Sequence, residues 1–139
     1  MSDLHERVEA ELENLRQVIA DLPDVGMLDS ASSLELAGTA ALLHSFYNGV
    51  ENILRQVLAD RDEGVPRGAF WHRDLLQAAV DTGAVSAGTA AHLKRYLAFR
   101  HFFAHAYAFD VDKNRLIPLL EGIGTAWNLF VTDIQQILG

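Results

Sequence analysis

Apolar residues recur every three or four positions along nearly the whole chain, and no segment sustains the alternation of a strand. The first such run covers residues 3 to 21, with Leu4, Val8, Leu12, Leu15, Ile19 and Leu22 on one face until Pro23 and Gly26 break it. A second helix starts near Ser32, where Ser32-Ser33-Leu34-Glu35 reads as a capping box. It runs to about residue 60, and Leu36, Ala40, Leu43, Tyr47, Val50, Leu54 and Val57 form its bundle seam. The linker RDEGVPRGAF, with two glycines and a proline, crosses the bundle end. WHRDLLQAAVD is a short helix closed by Thr82 and Gly83, and Ser86 caps a fourth helix from residue 87 to about 108. The turn FDVDKNR leads into a last helix with Pro118 in its first turn. Its seam is Leu116, Leu120, Ile123, Trp127, Phe130, Ile134 and Ile137, and Gly122 and Gly124 predict close helix approach at some cost in propensity. The expected fold is all-α, an antiparallel bundle of four long helices and one short helix, forming a single domain over residues 1–139.

Composition narrows the chemistry. There is no cysteine, which excludes disulfides, thiolate zinc sites and thiol nucleophiles and fits a reducing cytoplasm. MSDLHERVEAELENL is charged from residue 3 and does not read as a signal peptide, and no apolar run approaches the ~18 residues of a membrane span. A cytoplasmic chain with no membrane partner is expected. The net charge of −8 opposes general nucleic-acid affinity, but it is unevenly spread. Residues 92 to 115 hold five Lys and Arg against two Asp, a surplus of three that leaves −11 elsewhere. His92, His101 and His105 fall in the same window. An anionic ligand would bind here.

The window contains FRHFFAHAYAFD, residues 99 to 110, an apolar helix carrying an unusual number of titratable groups. At about 100° per residue, Arg100 centres a face made by Leu93, Tyr96, Leu97, Phe103, Ala104 and Tyr107. Tyr107 lies two turns below it. A guanidinium in such a stripe requires an anion, because a buried unpaired charge is costly. Phe99 and Phe102 lie on other sides, so the helix is either central or packed against a second molecule. His105 is about 140° from Arg100 on an ideal helix. Either the helix ends irregularly near 105, or the site is shared across a twofold dimer. The near-continuous apolar surface favours the dimer.

Arg100, four residues, His105, Ala106 and Tyr107 match the Arg-x4-His-x-Tyr motif of HEPN-fold proteins, and the chain resembles the HepT-like toxins. FYNGVENILRQVL, FWHRDLL and LKRYLAFRHFFAHAY resemble the corresponding family segments, so the likeness covers most of residues 1 to 138. It implies the toxin component of a toxin–antitoxin system, a homodimeric, metal-independent endoribonuclease needing no cofactor. The partner would be a minimal nucleotidyltransferase antitoxin of the MntA type, which adenylylates the motif tyrosine, here Tyr107. The chemistry is coherent on its own terms. RNA carries its nucleophile, the 2′-OH, a neutral histidine with an ordinary pKa of ~6.5 can remove that proton, and a planar guanidinium suits the crowded phosphorane. His105 is then base or acid, Arg100 the phosphate clamp and Tyr107 a hydrogen-bonding neighbour and modification site, with His101 as an auxiliary.

Plainer readings stand beside these. Arg100 also fits as an ion-pair partner of Glu51 or another acid. His101 and His105 at i, i+4 have the spacing of two metal ligands, with no third identifiable nearby. His72 reads as a helix-start residue, with the cleft as its alternative place. His44, Asn48, Glu51 and Arg55 form a polar stripe opposite the seam, read as a solvated face with a Glu51–Arg55 pair or, alternatively, as cleft lining with Asn48 and Glu51 as auxiliaries. The competing functions are a non-catalytic HEPN module that binds a nucleotidyltransferase or nucleotide, and a structural dimer with a buried arginine.

Overall fold

Ser32 starts the longest helix in the way its sequence predicts. Its hydroxyl accepts from the Glu35 N–H at 3.1 Å, and the Glu35 carboxylate accepts from the Ser32 N–H at 3.0 Å, so two N–H groups without helical partners are satisfied reciprocally. The computed structural model describes residues 3–107 and 110–139. In chain order it contains α1 (Asp3–Asp21), a 3-10 helix (Val25–Ser30), α2 (Ser33–Asp60), α3 (Trp71–Asp81), α4 (Ala87–His105) and α5 (Lys113–Leu138), with no strand among the described residues. The 3-10 helix fills what the sequence marks only as a break after Pro23.

The remaining boundaries follow local chemistry. Gly83 closes α3 at φ +80°, a left-handed conformation that glycine adopts without steric cost. The Ser86 hydroxyl caps α4 by accepting from the Thr89 N–H at 3.1 Å. Asp112 caps α5 through the Arg115 N–H at 3.2 Å, and this cap places Pro118 in the second turn, beyond the first turn expected for it. There the proline costs one backbone hydrogen bond inside the helix.

α2 is the hub, packing against α1, α3, α4 and α5. Its seam from Ala40 to Val57 is fully buried, against Leu4, Val8, Leu12 and Leu15 of α1 and Phe130 and Ile134 of α5 among others. The closest helix approach is at Gly49, where a Cβ would collide with the buried Leu15 side chain. Gly122 makes only ordinary contact with Tyr96 and Arg95, and Gly124 faces open space, so the approach expected at these two glycines is displaced to α2.

α4 packs on α2, α3 and α5. Phe99 is buried, and Phe102 and Phe103 are half-buried against the core. One chain therefore accommodates all three phenylalanines. The outward face carries Ala91, Lys94, Ala98, His101 and His105, all exposed. The helix stops at His105, with Ala106 already extended (φ −93°, ψ 151°). The Asp110 carboxylate accepts from the Tyr107 N–H at 3.0 Å, and the Asp110 N–H donates back to the Tyr107 carbonyl at 2.9 Å. This local turn competes with helix continuation. The expected extension to residue 108 runs into 108 and 109, which lie outside the described residues.

Candidate active site

Of the polar stripe of α2, Arg55 is exposed, while His44 and Asn48 are half-buried and Glu51 lies inside. Glu51 is buried, with its side chain 3% exposed, and it meets His72 and Arg100 from two other helices. His72 at the start of α3 places Nδ1 2.8 Å from one carboxylate oxygen and 3.0 Å from the other. Arg100 on α4 brings Nε to 3.5 Å from Glu51 and donates from it to the Asn48 side-chain oxygen at 3.4 Å. The expected Glu51–Arg55 pair gives way to this arrangement: Arg55 lies with its guanidinium 5.2 Å from the centre of the Trp71 ring. The Arg100–Glu51 ion pair anticipated as the plain reading is present, but as one arm of a three-helix cluster.

Electrostatics follow from that burial. Loss of solvent pushes the Glu51 carboxyl above the ordinary carboxylate range, although the hydrogen bond from His72 and the positive charges of His72, Arg100 and Arg55 pull the other way. His44 extends the stripe, 3.4 Å from the Asn48 amide and packed against Phe103 with ring centres 4.9 Å apart. Burial first, and then the Arg100 and His72 charges, lower its pKa, so His44 is neutral at pH 7.

Arg100 and His72 line one groove between α4 and the start of α3, of about 430 Å3. Lys94, His101, Arg73 and the exposed Phe70 line it too, and no acidic side chain does. Both Arg100 contacts fall on Nε, which leaves the terminal guanidinium nitrogens for a ligand. A guanidinium held at its inner nitrogen, in a groove of cations, is arranged to meet a phosphate in fixed orientation. A larger groove of about 770 Å3, beside Trp71, Arg55 and Arg67, contains neither Arg100 nor a histidine. Size does not select the site here; the placement of Arg100 does.

The structure brings Arg100, Asn48, Glu51 and His101 together at or beside this groove. His105 adjoins through His101, with ring centres 5.0 Å apart and edge to face. Tyr107 is placed differently from its helical projection. It lies past the end of α4, 72% exposed, and does not sit beneath Arg100 on one helical face. Among the described residues no group of three or more His, Cys, Asp or Glu side chains is gathered as for a metal ion, and no helix is long and apolar enough to cross a membrane. Sequence reasoning placed Lys94 in the basic window but undervalued His72 and passed over Phe70 and Arg73, both at the start of α3. No spacing rule connects them to Arg100, since the fold alone lays the start of α3 beside α4.

One buried group near the cluster has no partner. The Tyr47 hydroxyl, one turn before Glu51 on α2, makes no hydrogen bond among the described residues. Burial and the Glu51 charge push its pKa far above the ordinary tyrosine range. An unsatisfied buried polar group costs about 1–3 kcal/mol. Tyr47→Phe is therefore expected to raise stability by about 1 kcal/mol, read from the midpoint of a urea denaturation curve, and a lower midpoint would show that the hydroxyl is satisfied in solution.

Residues 38–138 match the sequence family described as HepT-like protein, a span that includes Asn48, Glu51, His72, Arg100, His105 and Tyr107 and omits α1. Neither a curated protein nor a solved structure matches the chain.

Proposed function

We propose, from the premise that this chain belongs to the HepT-like family, that it is a toxin-type endoribonuclease acting through the 2′-OH of RNA. The observation that carries this reading is Arg100 fixed at Nε by Asn48 and Glu51 within a groove of cations. Arg100 binds the scissile phosphate through its terminal nitrogens and stabilises the phosphorane. His105 takes the 2′-OH proton, the 2′-oxygen attacks phosphorus, the bond to the 5′-oxygen breaks, and the product is a 2′,3′-cyclic phosphate. The nucleophile is internal, so no metal is required to generate one. As a whole-chain HEPN bundle, the protein acts as a homodimer, with the exposed α4 face of Ala91, Ala98, His101 and His105 against its twofold mate, so that the cleft draws on both copies. Its partner is a minimal nucleotidyltransferase antitoxin that modifies Tyr107.

The test is incubation of the purified protein with single-stranded RNA, with and without EDTA, alongside sedimentation at micromolar concentration. Cyclic-phosphate ends formed equally in both conditions, from a species of twice the chain mass, are expected. Tight RNA or nucleotide binding without cleavage would favour the binding-module reading, and cleavage lost in EDTA would favour metal ligation by His101 and His105.

A further inference from the structure

We infer that His72 is a second proton-transfer group of the groove, the acid that protonates the leaving 5′-oxygen, and that buried Glu51 is the residue that positions it. This rests on the ribonuclease reading above and supplies what that reading lacks. Transesterification moves two protons, one from the 2′-OH and one to the departing 5′-oxygen, and the motif histidine of each copy, His105, is not among the residues that line the groove with Arg100 and His72.

The geometry is specific. Both Glu51 oxygens lie within 3.0 Å of His72 Nδ1. Whichever group holds the shared proton, Nδ1 is engaged, and Nε2 is the nitrogen left to meet a ligand. The ring is backed by Trp71, with ring centres 3.5 Å apart, which restricts rotation away from that pose. A carboxylate fixing one nitrogen of a histidine whose other nitrogen does the chemistry is a recurrent arrangement in acid–base sites.

The same carboxylate also pairs with Arg100, and the His72 and Arg100 side chains are only partly buried, 21% and 23% exposed. Glu51 holds two groups from two helices, and both line the one groove. A phosphate clamped by Arg100 therefore lies beside His72. In the step, His72 gives its Nε2 proton to the 5′-oxygen as the P–O bond breaks and is left as neutral imidazole. The proton taken by His105 later returns through solvent, restoring both groups.

The experiment compares two leaving groups on the same 2′-hydroxyl diester: an RNA 5′-oxygen, which needs protonation to leave, and 4-nitrophenoxide, which does not. His72→Ala is expected to lose about 10²–10⁴-fold on RNA while staying within about tenfold of wild type on the aryl ester. His72→Asn, which keeps an N–H for Glu51 but has no acid to offer, should behave alike and guards against a folding defect. Glu51→Gln, which loosens Arg100 as well as His72, should lower both rates, the RNA rate by more than the aryl-ester rate. Equal losses on both substrates, or an unchanged RNA rate in an active wild-type background, overturn the assignment of His72 alone. A wild type that cleaves neither substrate overturns the ribonuclease reading and this one with it.

Discussion

Arg100→Ala is expected to lower RNA cleavage by about 10²–10³-fold, the loss of electrostatic stabilisation at the proposed phosphate clamp. The side chain is held at Nε by Asn48 and Glu51, so its outer nitrogens stay oriented without a reorganisation step. Arg100→Lys keeps the charge but loses the planar fork and the Nε contacts, and should recover only a small part of the rate. The alanine change also takes one counter-charge from buried Glu51. Because His72 remains as a partner, the stability cost should fall below the roughly 3–5 kcal/mol of breaking an isolated buried pair. Thermal melting of both variants separates the two effects. His105→Ala offers a cleaner arm, since the ring is exposed at the end of α4 and contacts His101 rather than the core. It should lose about 10²–10⁴-fold in cleavage while circular dichroism shows its helicity retained. An active His105→Ala enzyme would remove the motif histidine from the mechanism.

The helices were readable because their signals are local. Capping at Ser32 and Ser86, the seam from Ala40 to Val57 and the stop at Gly83 each depend on residues a few positions apart. The end of α4 was legible only as one of two alternatives, an irregular end near 105, because the Asp110 side-chain bond to the Tyr107 N–H that competes with helix continuation is not registered by periodicity. That single bond moves Tyr107 off the helical face on which spacing put it.

The site divides the same way. Arg100 stood out as a charge in an apolar stripe, and its demand for an anion was sound. Its partners lie far off in sequence, Asn48 at a separation of 52 residues and the His72–Glu51 pair at 21 from each other. Polar residues spaced along a helix face read by default as solvated, and only the packing of α3 and α4 onto α2 buries Glu51 and half-covers His44 and Asn48. The three phenylalanines illustrate the converse, since the surplus that seemed to need a second molecule fits within one chain. A dimer, as proposed, therefore rests on the outward α4 face, where His101 and His105 are exposed.

Tyr107 is expected to be the residue through which the activity is switched off, and its placement changes the physical reason for expecting this. On a continuous helix it would have shared a face with Arg100. Past the helix end it is 72% exposed, with its backbone held by Asp110, so a second enzyme can reach the ring without opening the bundle. Adenylylation would proceed by attack of the phenolic oxygen on the α-phosphorus of ATP, forming the O–P bond, expelling pyrophosphate and releasing the phenolic proton. The chain then carries a phosphodiester of one negative charge and a purine beside the surplus of positive charge in residues 92 to 115. Charge-assisted pairing draws that phosphate toward the cations that would hold RNA, and local neutralisation weakens whatever attraction for RNA remains. Co-expression with the nucleotidyltransferase should add adenylate mass to the wild type and remove RNA cleavage completely. Tyr107→Phe, which loses only an exposed hydroxyl, should keep its helicity and escape both the mass increase and the silencing. Intact-protein mass spectrometry on the two chains decides it, because an adenylate increment that persists in the phenylalanine variant places the modification on another residue.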